Sequence, residues 1–290
     1  MHERPQAALF EALRQLGYRI EALGEKLPGL IHGAGPRPGR CTVSIEESSQ
    51  FASALLLCAD RGKWTVLITG ENSEESPYVA LTQRLSAQFR KSSGRFQVAP
   101  DASSAGYFWA AGWLSGAEIM VRHWENAAAS GQIDARFPGF WPLPPIISRT
   151  TDLGDSIMTA IVLAPFAKQT VRFTELGRLR VQECERVVAL RTELAKCGAK
   201  VIERGDSLEI QPGILHGAQI ETYNDHRMAM SFSILGLKVP GIQINNPACV
   251  KKTFPNFFQK LAASPPHGLG VTILDGHTGR KLAHNELFAE

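Results

Sequence analysis

One cadence recurs along this 290-residue chain and restricts what it can fold into. A helical stretch ends on a small residue, and a short strand follows at once. Gln6 to Leu16 places Leu9, Phe10, Leu13 and Leu16 on one helical face; Gly17 ends it, and Tyr18-Arg-Ile-Glu-Ala-Leu23 alternates as a strand. The same order returns where Ser115-Gly-Ala feeds Glu118-Ile-Met-Val121, and where Cys197-Gly-Ala feeds Lys200-Val-Ile-Glu203. Recurrence of this kind predicts a repeated α/β supersecondary unit. The length suits two domains and a sizeable core. Composition softens through Lys91-Ser-Ser-Gly-Arg95, which puts a lobe boundary near Ala99. The division expected is a first lobe over 1–99, a second over 100–263 and a polar, mobile tail over 264–290, with Val271-Thr-Ile-Leu274 as a strand.

Charge and cysteine usage exclude several classes. A formal charge of +3, with basic residues scattered rather than striped, gives no case for a nucleic-acid partner. Five cysteines show neither CxxC nor metal-ligand spacing. An odd count without a signal peptide reads as reduced thiols in the cytoplasm. No apolar run is long enough to span a membrane, and Ala160 to Phe166 fits a buried helix. No Gly-rich nucleotide loop, flavin motif or zinc motif is present, so no cofactor is expected.

The densest chemistry lies between Glu221 and Lys260. Asn224 and Asp225 can cap a helix whose first turn carries His226 and Arg227, with Met228, Phe232 and Leu235 on its buried face. Gly241-Ile-Gln-Ile244 reads as a short strand. Lys251 and Lys252 then precede Thr253, an expected N-cap, with Pro255 in the first turn and Phe254, Phe257, Phe258 and Leu261 inward. A helix N-terminus presents free N–H groups and partial positive charge, so Arg227 and Lys252 there would make anion sites.

Asp225-His-Arg-Met-Ala-Met230, followed by Asn246-Pro-Ala-Cys-Val-x-Lys-Thr-Phe-Pro-x-Phe-Phe258, resembles the C-terminal signature of the EPSP synthase (3-phosphoshikimate 1-carboxyvinyltransferase) family. The resemblance implies a two-lobed α/β enolpyruvyl transferase fold, built of repeated units with inward-packed helices. It implies transfer of the enolpyruvyl group of phosphoenolpyruvate to a hydroxyl of shikimate 3-phosphate. Small anionic molecules are then the partners.

Further strings carry the resemblance residue by residue. Ser48-Ser-Gln-Phe51, at a helix mouth, matches the family's contact with the shikimate phosphate; read alone, such serines are usually only caps. Tyr78 would lie against the substrate ring. Leu153-Gly-Asp-Ser156 places Asp155 where the family keeps the group that takes the hydroxyl proton, although an N-cap is the ordinary role of such an aspartate. Arg180-Val-Gln-Glu-Cys-Glu-Arg186 is similar to a family Arg-Val-Lys-Glu-Ser/Thr-Asp-Arg, and implies Glu183 as proton donor. The implied phosphoenolpyruvate contacts are Arg4, Gln50, Arg186, Arg227 and Lys252. Those to shikimate 3-phosphate are Ser48, Ser49, Gln50, Tyr78, Asp155 and Gln182.

Departures accompany the match. Gln182 stands for a catalytic lysine, Cys184 for a hydroxyl residue, and Glu75 for a serine on the substrate phosphate. Gly131-Gln-Ile-Asp134 resembles a family Gln-Gly-Asp. The proline-rich Phe137-Pro-Gly-Phe-Trp-Pro-Leu-Pro-Pro145 replaces the helix and strand expected after it, so one unit of the second lobe reads as eroded. The chain begins inside the family pattern, at Glu3-Arg4-Pro5, so the first lobe is expected to be incomplete. Either a separate N-terminal segment or self-association through apolar faces near Phe51 to Leu57 is expected. On these grounds the chain alone is expected to be a poor catalyst, and a non-catalytic anion-binding relative is the alternative. A UDP-N-acetylglucosamine enolpyruvyl transferase would need a catalytic cysteine in a basic loop, for which Cys41 beside Arg40 is the candidate.

Overall fold

The computed structural model describes residues 6–33, 35–46, 48–70, 72, 75–91, 96–124 and 126–290. Arg4 and the Glu3-Arg4-Pro5 start lie outside them. The chain divides into two compact units, Met1–Val98 and Ala99–Glu290.

In the first unit, α1 (Ala7–Gln15) stops at Gly17, whose φ of 87° is the left-handed conformation glycine adopts without strain. The chain then turns into β1 (Arg19–Ala22), which pairs antiparallel with β2 (Gly29–His32). Next, β3 (Gly39–Ser44) leads through α2 (Ser49–Gly62) to β4 (Trp64–Thr69), and β3 and β4 run parallel from Gly39↔Trp64 to Ser44↔Thr69. This is the crossover that parallel pairing demands. α3 (Ser76–Lys91) packs beside α2, where Ser53 and Thr82 share a hydroxyl hydrogen bond of 2.8 Å. Ala12, Leu16, Cys41, Val43, Ile45, Ala52, Leu55 and Val79 form the core. Alternation on β3 thus sends Cys41 and Val43 inward.

The second unit opens with α4 (Ala102–Ser115), capped by Asp101 and closed by left-handed Gly116. The strand expected at Glu118 to Val121 does not form. Gly112 lets the 117–119 segment lie directly on α4, since a Cβ there would sit 2.7 Å from the Ala117 carbonyl oxygen. Residues 127–145 hold the short α5 (Ala127–Ser130) and a 3-10 segment over Ile133–Phe140. The expected proline-rich loop is therefore partly helical, and Trp113 stacks between Phe137 and Trp141.

From there the fold regularises. β5 (Ile146–Ser148), α6 (Ile157–Leu163), β6 (Val171–Thr174), α7 (Arg186–Lys196), β7 (Lys200–Arg204) and β8 (Ser207–Gln211) follow. The sheet order is β5-β6-β8-β7, with β5 parallel to β6 and the other pairs antiparallel. β9 (Gln219–Ile220), α8 (His226–Gly236), β10 (Gln243–Ile244) and α9 (Phe257–Ala262) complete the elements; β10 pairs parallel with β9, so only the end of the expected Gly241–Ile244 strand is laddered.

Every residue of α6 is buried, and α8 buries eight of its eleven. Helices apolar on all sides belong inside a protein. Thr159 of α6 and Ser231 of α8 satisfy each other's hydroxyls at 3.2 Å within that interior.

Three local readings change. Thr253 is not a helix N-cap: its N–H bonds back to the Val250 carbonyl at 3.1 Å and ends a 3-10 segment over Pro247–Lys252, while α9 starts after Asn256. Val271 to Leu274 forms only the single bridge Leu274↔Lys281. The tail is docked: Leu287 and Ala289 are buried, and the Ala289 N–H reaches the Pro255 carbonyl at 2.9 Å.

Candidate functional site

The N-terminus of α8 organises the second unit's polar cluster. Tyr223 and Asn224 adopt left-handed φ of 53° and 56°, turning the chain so that Asp225 becomes the N-cap. Its carboxylate accepts from the Arg227 N–H at 2.8 Å. It also takes the Arg186 guanidinium on both oxygens, at 2.6 and 3.2 Å. Asp225 is fully buried and Arg186 nearly so, and this bidentate geometry gives a buried ion pair the best chance of offsetting its desolvation. The anion at this helix mouth is therefore the protein's own. Asn224 does not share the cap; its side chain accepts from Asn246 at 3.3 Å.

Arg186 is the first residue of α7, behind the cap Glu185, whose carboxylate accepts from the Val188 N–H at 2.5 Å. Its remaining donors reach Glu183 at 2.7 Å and the Gln182 amide oxygen. Glu183 in turn pairs with Lys252. Burial works to raise the Glu183 pKa, but the Lys252 hydrogen bond and the Arg186 charge prevail and bring it down to about 2. Lys252 thus meets Glu183 from the end of a 3-10 segment rather than from a helix mouth.

Asp155 lies in a short 3-10 turn before α6 and makes no capping bond, so the ordinary aspartate role does not apply. Its carboxylate lies 3.0 Å from Arg149 and 3.3 Å from Arg227. Burial alone would raise its pKa; Arg227, Arg149 and Arg186 together hold it well below the usual carboxylate range. Arg227 also donates to Ser103 at 3.3 Å. Asp134 accepts from Ser103 at 2.6 Å and from the Ser156 N–H at 2.7 Å, and its burial pushes its pKa up. One hydrogen-bonded and ion-paired network therefore joins Asp155, Arg227, Asp225, Arg186, Glu183 and Lys252.

Sequence reasoning missed Arg149 and the role of Asp134. Arg149 gave no periodic signal; only its place in an otherwise uncharged Ile-Ile-Ser-Arg-Thr-Thr string marks it. Within Gly131 to Asp134, Gln132 is structural, bonding the Ala102 N–H and the Pro100 carbonyl at 2.8 Å each. His226 is buried and held neutral near neutral pH, its pKa lowered to about 4 by burial and by Arg227. Burial and Asp225 push the Cys184 thiol up to about 12, so it is an inert replacement for a hydroxyl. Cys41 is likewise fully buried on β3 with a raised pKa, which removes it as a nucleophile in a basic loop.

In the first unit, Ser48 is the N-cap of α2 and its hydroxyl accepts from the Gln50 N–H at 3.2 Å. The Ser49 N–H donates to the Glu75 carboxylate at 2.6 Å, and both residues are buried. Gln50 is exposed on the first turn, and Tyr78 is partly exposed on the first turn of α3. Ser48, Ser49 and Gln50 thus share one helix mouth.

The family model for EPSP synthase (3-phosphoshikimate 1-carboxyvinyltransferase) matches residues 1–91 and 142–261. The 3-phosphoshikimate 1-carboxyvinyltransferase of Nitrosomonas europaea is 35% identical over 308 residues, covering 91% of this chain and 71% of that protein. That of Laribacter hongkongensis is 38% identical over 310 residues, covering 91% and 72%. Among solved structures, an EPSP synthase from Acinetobacter baumannii superposes with a TM-score of 0.61 at 20% identity, over 90% of this chain and 70% of that one. The enolpyruvyl transferase NikO from Streptomyces tendae gives 0.58 at 14%, over 86% and 69%. These two establish the fold. The segment between the matched blocks, residues 92–141, contains the missing strand and the Trp113 stack.

Proposed function

Since the chain belongs to the EPSP synthase family, the 3-phosphoshikimate 1-carboxyvinyltransferases, we propose that its chemistry is divided between a carboxylate–cation network and a helix-mouth phosphate site. The family reaction moves the enolpyruvyl group of phosphoenolpyruvate onto a hydroxyl of shikimate 3-phosphate and releases phosphate. It requires a group to take the hydroxyl proton, a group to deliver a proton to the methylene carbon, and cations for the anionic groups.

In this reading Asp155 takes the hydroxyl proton. Its two arginines keep it ionised but make it a weak base, so Arg227, a phosphoenolpyruvate cation in this reading, must turn toward that substrate before Asp155 can hold the proton. Glu183 delivers the methylene proton. A carboxylate near pKa 2 is a poor reservoir for that proton, so an incoming phosphate or carboxylate must first draw Lys252 toward itself, while Arg186 stays anchored by Asp225. Loss of that cationic pairing raises the Glu183 pKa and lets it carry a proton. Within the second unit, Arg186, Arg227 and Lys252 are the cations proposed for phosphoenolpyruvate. Within the first unit, Ser48, Ser49, Gln50 and Tyr78 are the contacts proposed for shikimate 3-phosphate. Residues 1–99 serve the substrate phosphate, 100–263 carry the catalytic carboxylates, and 264–290 brace α9.

The observation that carries this reading is the single network from Asp155 to Lys252. It holds both candidate acid–base carboxylates and three candidate cations. A cytoplasmic setting accords with five free thiols, and no described helix is long and apolar enough to cross a membrane. Self-association would bring a second copy of the chain as a further partner.

Gln182 favours a second reading, a weak or silent anion binder. A glutamine cannot supply a lysine's charge; one charge-assisted contact is worth about 1.5–3 kcal/mol, and a transition-state donor about a hundredfold or more in rate. Phosphate release from the two substrates distinguishes the readings. Turnover abolished by Asp155→Asn and by Glu183→Gln, and raised about a hundredfold by Gln182→Lys, supports the enzyme. Micromolar binding of both substrates without turnover in the parent or in Gln182→Lys supports the silent binder.

A further inference from the structure

We propose that Glu75 sets phosphate specificity in the acceptor site: its carboxylate occupies the anion position at the mouth of α2, and a phosphorylated acceptor must displace it. The inference rests on the reading of Ser48, Ser49 and Gln50 as the acceptor's phosphate site.

The first N–H groups of a helix have no partner within it, and the helix dipole adds partial positive charge there. α2 is a 14-residue helix, so this end is well formed. Two of its donors are already satisfied by the chain. Ser48 takes the Gln50 N–H, and Glu75 takes the Ser49 N–H at 2.6 Å, a short charge-assisted contact. Glu75 is 7% exposed and Ser49 3%, so the carboxylate lies in the site rather than over it.

Its position is fixed from behind. The Glu75 N–H is held by the Asn72 side-chain and main-chain oxygens, each at 3.2 Å, and the Asn72 amide donates to the Glu46 carbonyl at 2.8 Å. The Ser53–Thr82 bond pins α3 to α2 one to two turns further on. The carboxylate is thus presented to α2 by the same turn that starts α3.

A carboxylate and a phosphate cannot share these donors, because two anions a few ångströms apart repel strongly in a water-poor site. Serine at position 75 would leave the Ser49 N–H to an external phosphate, and glutamine would remove the charge while keeping an acceptor oxygen. With Glu75 in place, the parent chain gains little from an acceptor's phosphate over its dephosphorylated counterpart.

The test is calorimetric titration of the full chain, parent and variants, with shikimate 3-phosphate and with shikimate. In Glu75→Ser the phosphorylated ligand should bind at least tenfold more tightly than in the parent, with shikimate within twofold. Glu75→Gln, which keeps shape and an acceptor oxygen but not charge, should show a smaller gain in the same direction. Adding Ser48→Ala to Glu75→Ser tests the underlying site and should weaken the phosphorylated ligand several-fold. If Ser48→Ala weakens it but neither Glu75 variant strengthens it, the Glu75 proposal is overturned and the site reading stands. If none of the three substitutions changes it, both are overturned.

Discussion

Replacing Arg149 by glutamine isolates one of the two cations that hold the Asp155 carboxylate. Arg149 is 6% exposed and Asp155 18%, at 3.0 Å, while Arg227 stays 3.3 Å away on the other oxygen. Two unit charges about 4 Å apart attract by roughly 4 kcal/mol at the effective dielectric of such sites. Loss of one such neighbour typically raises a carboxylate's pKa by about one to three units. At about 1.4 kcal/mol per unit, the native state should lose roughly 1.4–4 kcal/mol at neutral pH from this coupling. The sign follows from linkage. The folded pKa of Asp155 lies below its unfolded value, so the pairing stabilises above the unfolded pKa and fades as pH falls toward the folded one. The stability gap between parent and Arg149→Gln should therefore be widest near pH 7 and narrow below about pH 4. Urea unfolding between about pH 1.5 and 7, which spans the variant's raised Asp155 pKa and most of the way down to the parent's lower one, reads it directly when followed by tryptophan fluorescence. Four of the five tryptophans lie in the second unit. A gap that stays constant across this range would refute the reasoning, because it would mean that Arg149 contributes packing alone. In turnover, the same variant should move the acid limb of kcat/KM to higher pH.

Three further outcomes follow from the same geometry. Lys252→Ala should raise the Glu183 pKa from about 2 toward the ordinary glutamate range, with little change in stability because Lys252 is about half exposed; carbon-detected NMR titration of the carboxylate checks it. Asp225→Asn should destabilise the second unit by about 3–5 kcal/mol by leaving Arg186 buried without its charge partner, a loss visible as a lower urea midpoint. Leu57 and Phe89 are about two-thirds exposed, so the chain should associate with rising concentration in sedimentation velocity; Leu57→Ser with Phe89→Ser should shift it toward monomer.

The regular parts of this fold were legible because local signals agreed. Gly17, the 41–45 alternation and the Ser48 cap each name an element by themselves. α6 was readable as buried from its apolar run; α8 reads as burying one face through Met228, Phe232 and Leu235, whereas eight of its eleven residues are buried. Signals failed where the outcome depended on a neighbour. Glu118 to Val121 has strand character, but it packs on α4 through Gly112 and pairs with no strand. Thr253 followed by Pro255 looks like a helix start, yet the preceding 3-10 segment takes the Thr253 N–H first. Glu193 sits in a charged helix that reads as a solvated face. It is fully buried, with the Tyr223 hydroxyl at 2.8 Å, the Glu221 N–H at 3.0 Å and Lys196 as partners. Partners 28 and 30 residues away leave no trace in local pattern. Arg149 left no trace for another reason: its partner Asp155 is close in sequence, but the turn after β5 decides that the two meet.

The network's carboxylates differ in how readily their pairings can be exchanged, and that difference fits the roles proposed for them. Asp225 is fully buried, caps α8 and holds Arg186 on two oxygens; displacing it would open a helix end and strand a buried guanidinium, so it acts as a fixed scaffold. Glu183 is 20% exposed and Lys252 53%, so their pair can exchange partners at modest cost. An entering phosphate or carboxylate should therefore take Lys252 first, leave Arg186 anchored by Asp225, and free Glu183 to bind a proton. The order matters chemically: in the proposed reaction Glu183 would become competent as a proton donor only after the substrate anion has arrived. A site built in this way is expected to bind its anions with muted salt dependence, since each binding event swaps one ion pair for another and screening weakens both. A steep loss of phosphoenolpyruvate affinity between about 0.05 and 0.5 M salt would contradict the exchange, because it would mean that the anion adds an ion pair to Lys252 rather than replacing one.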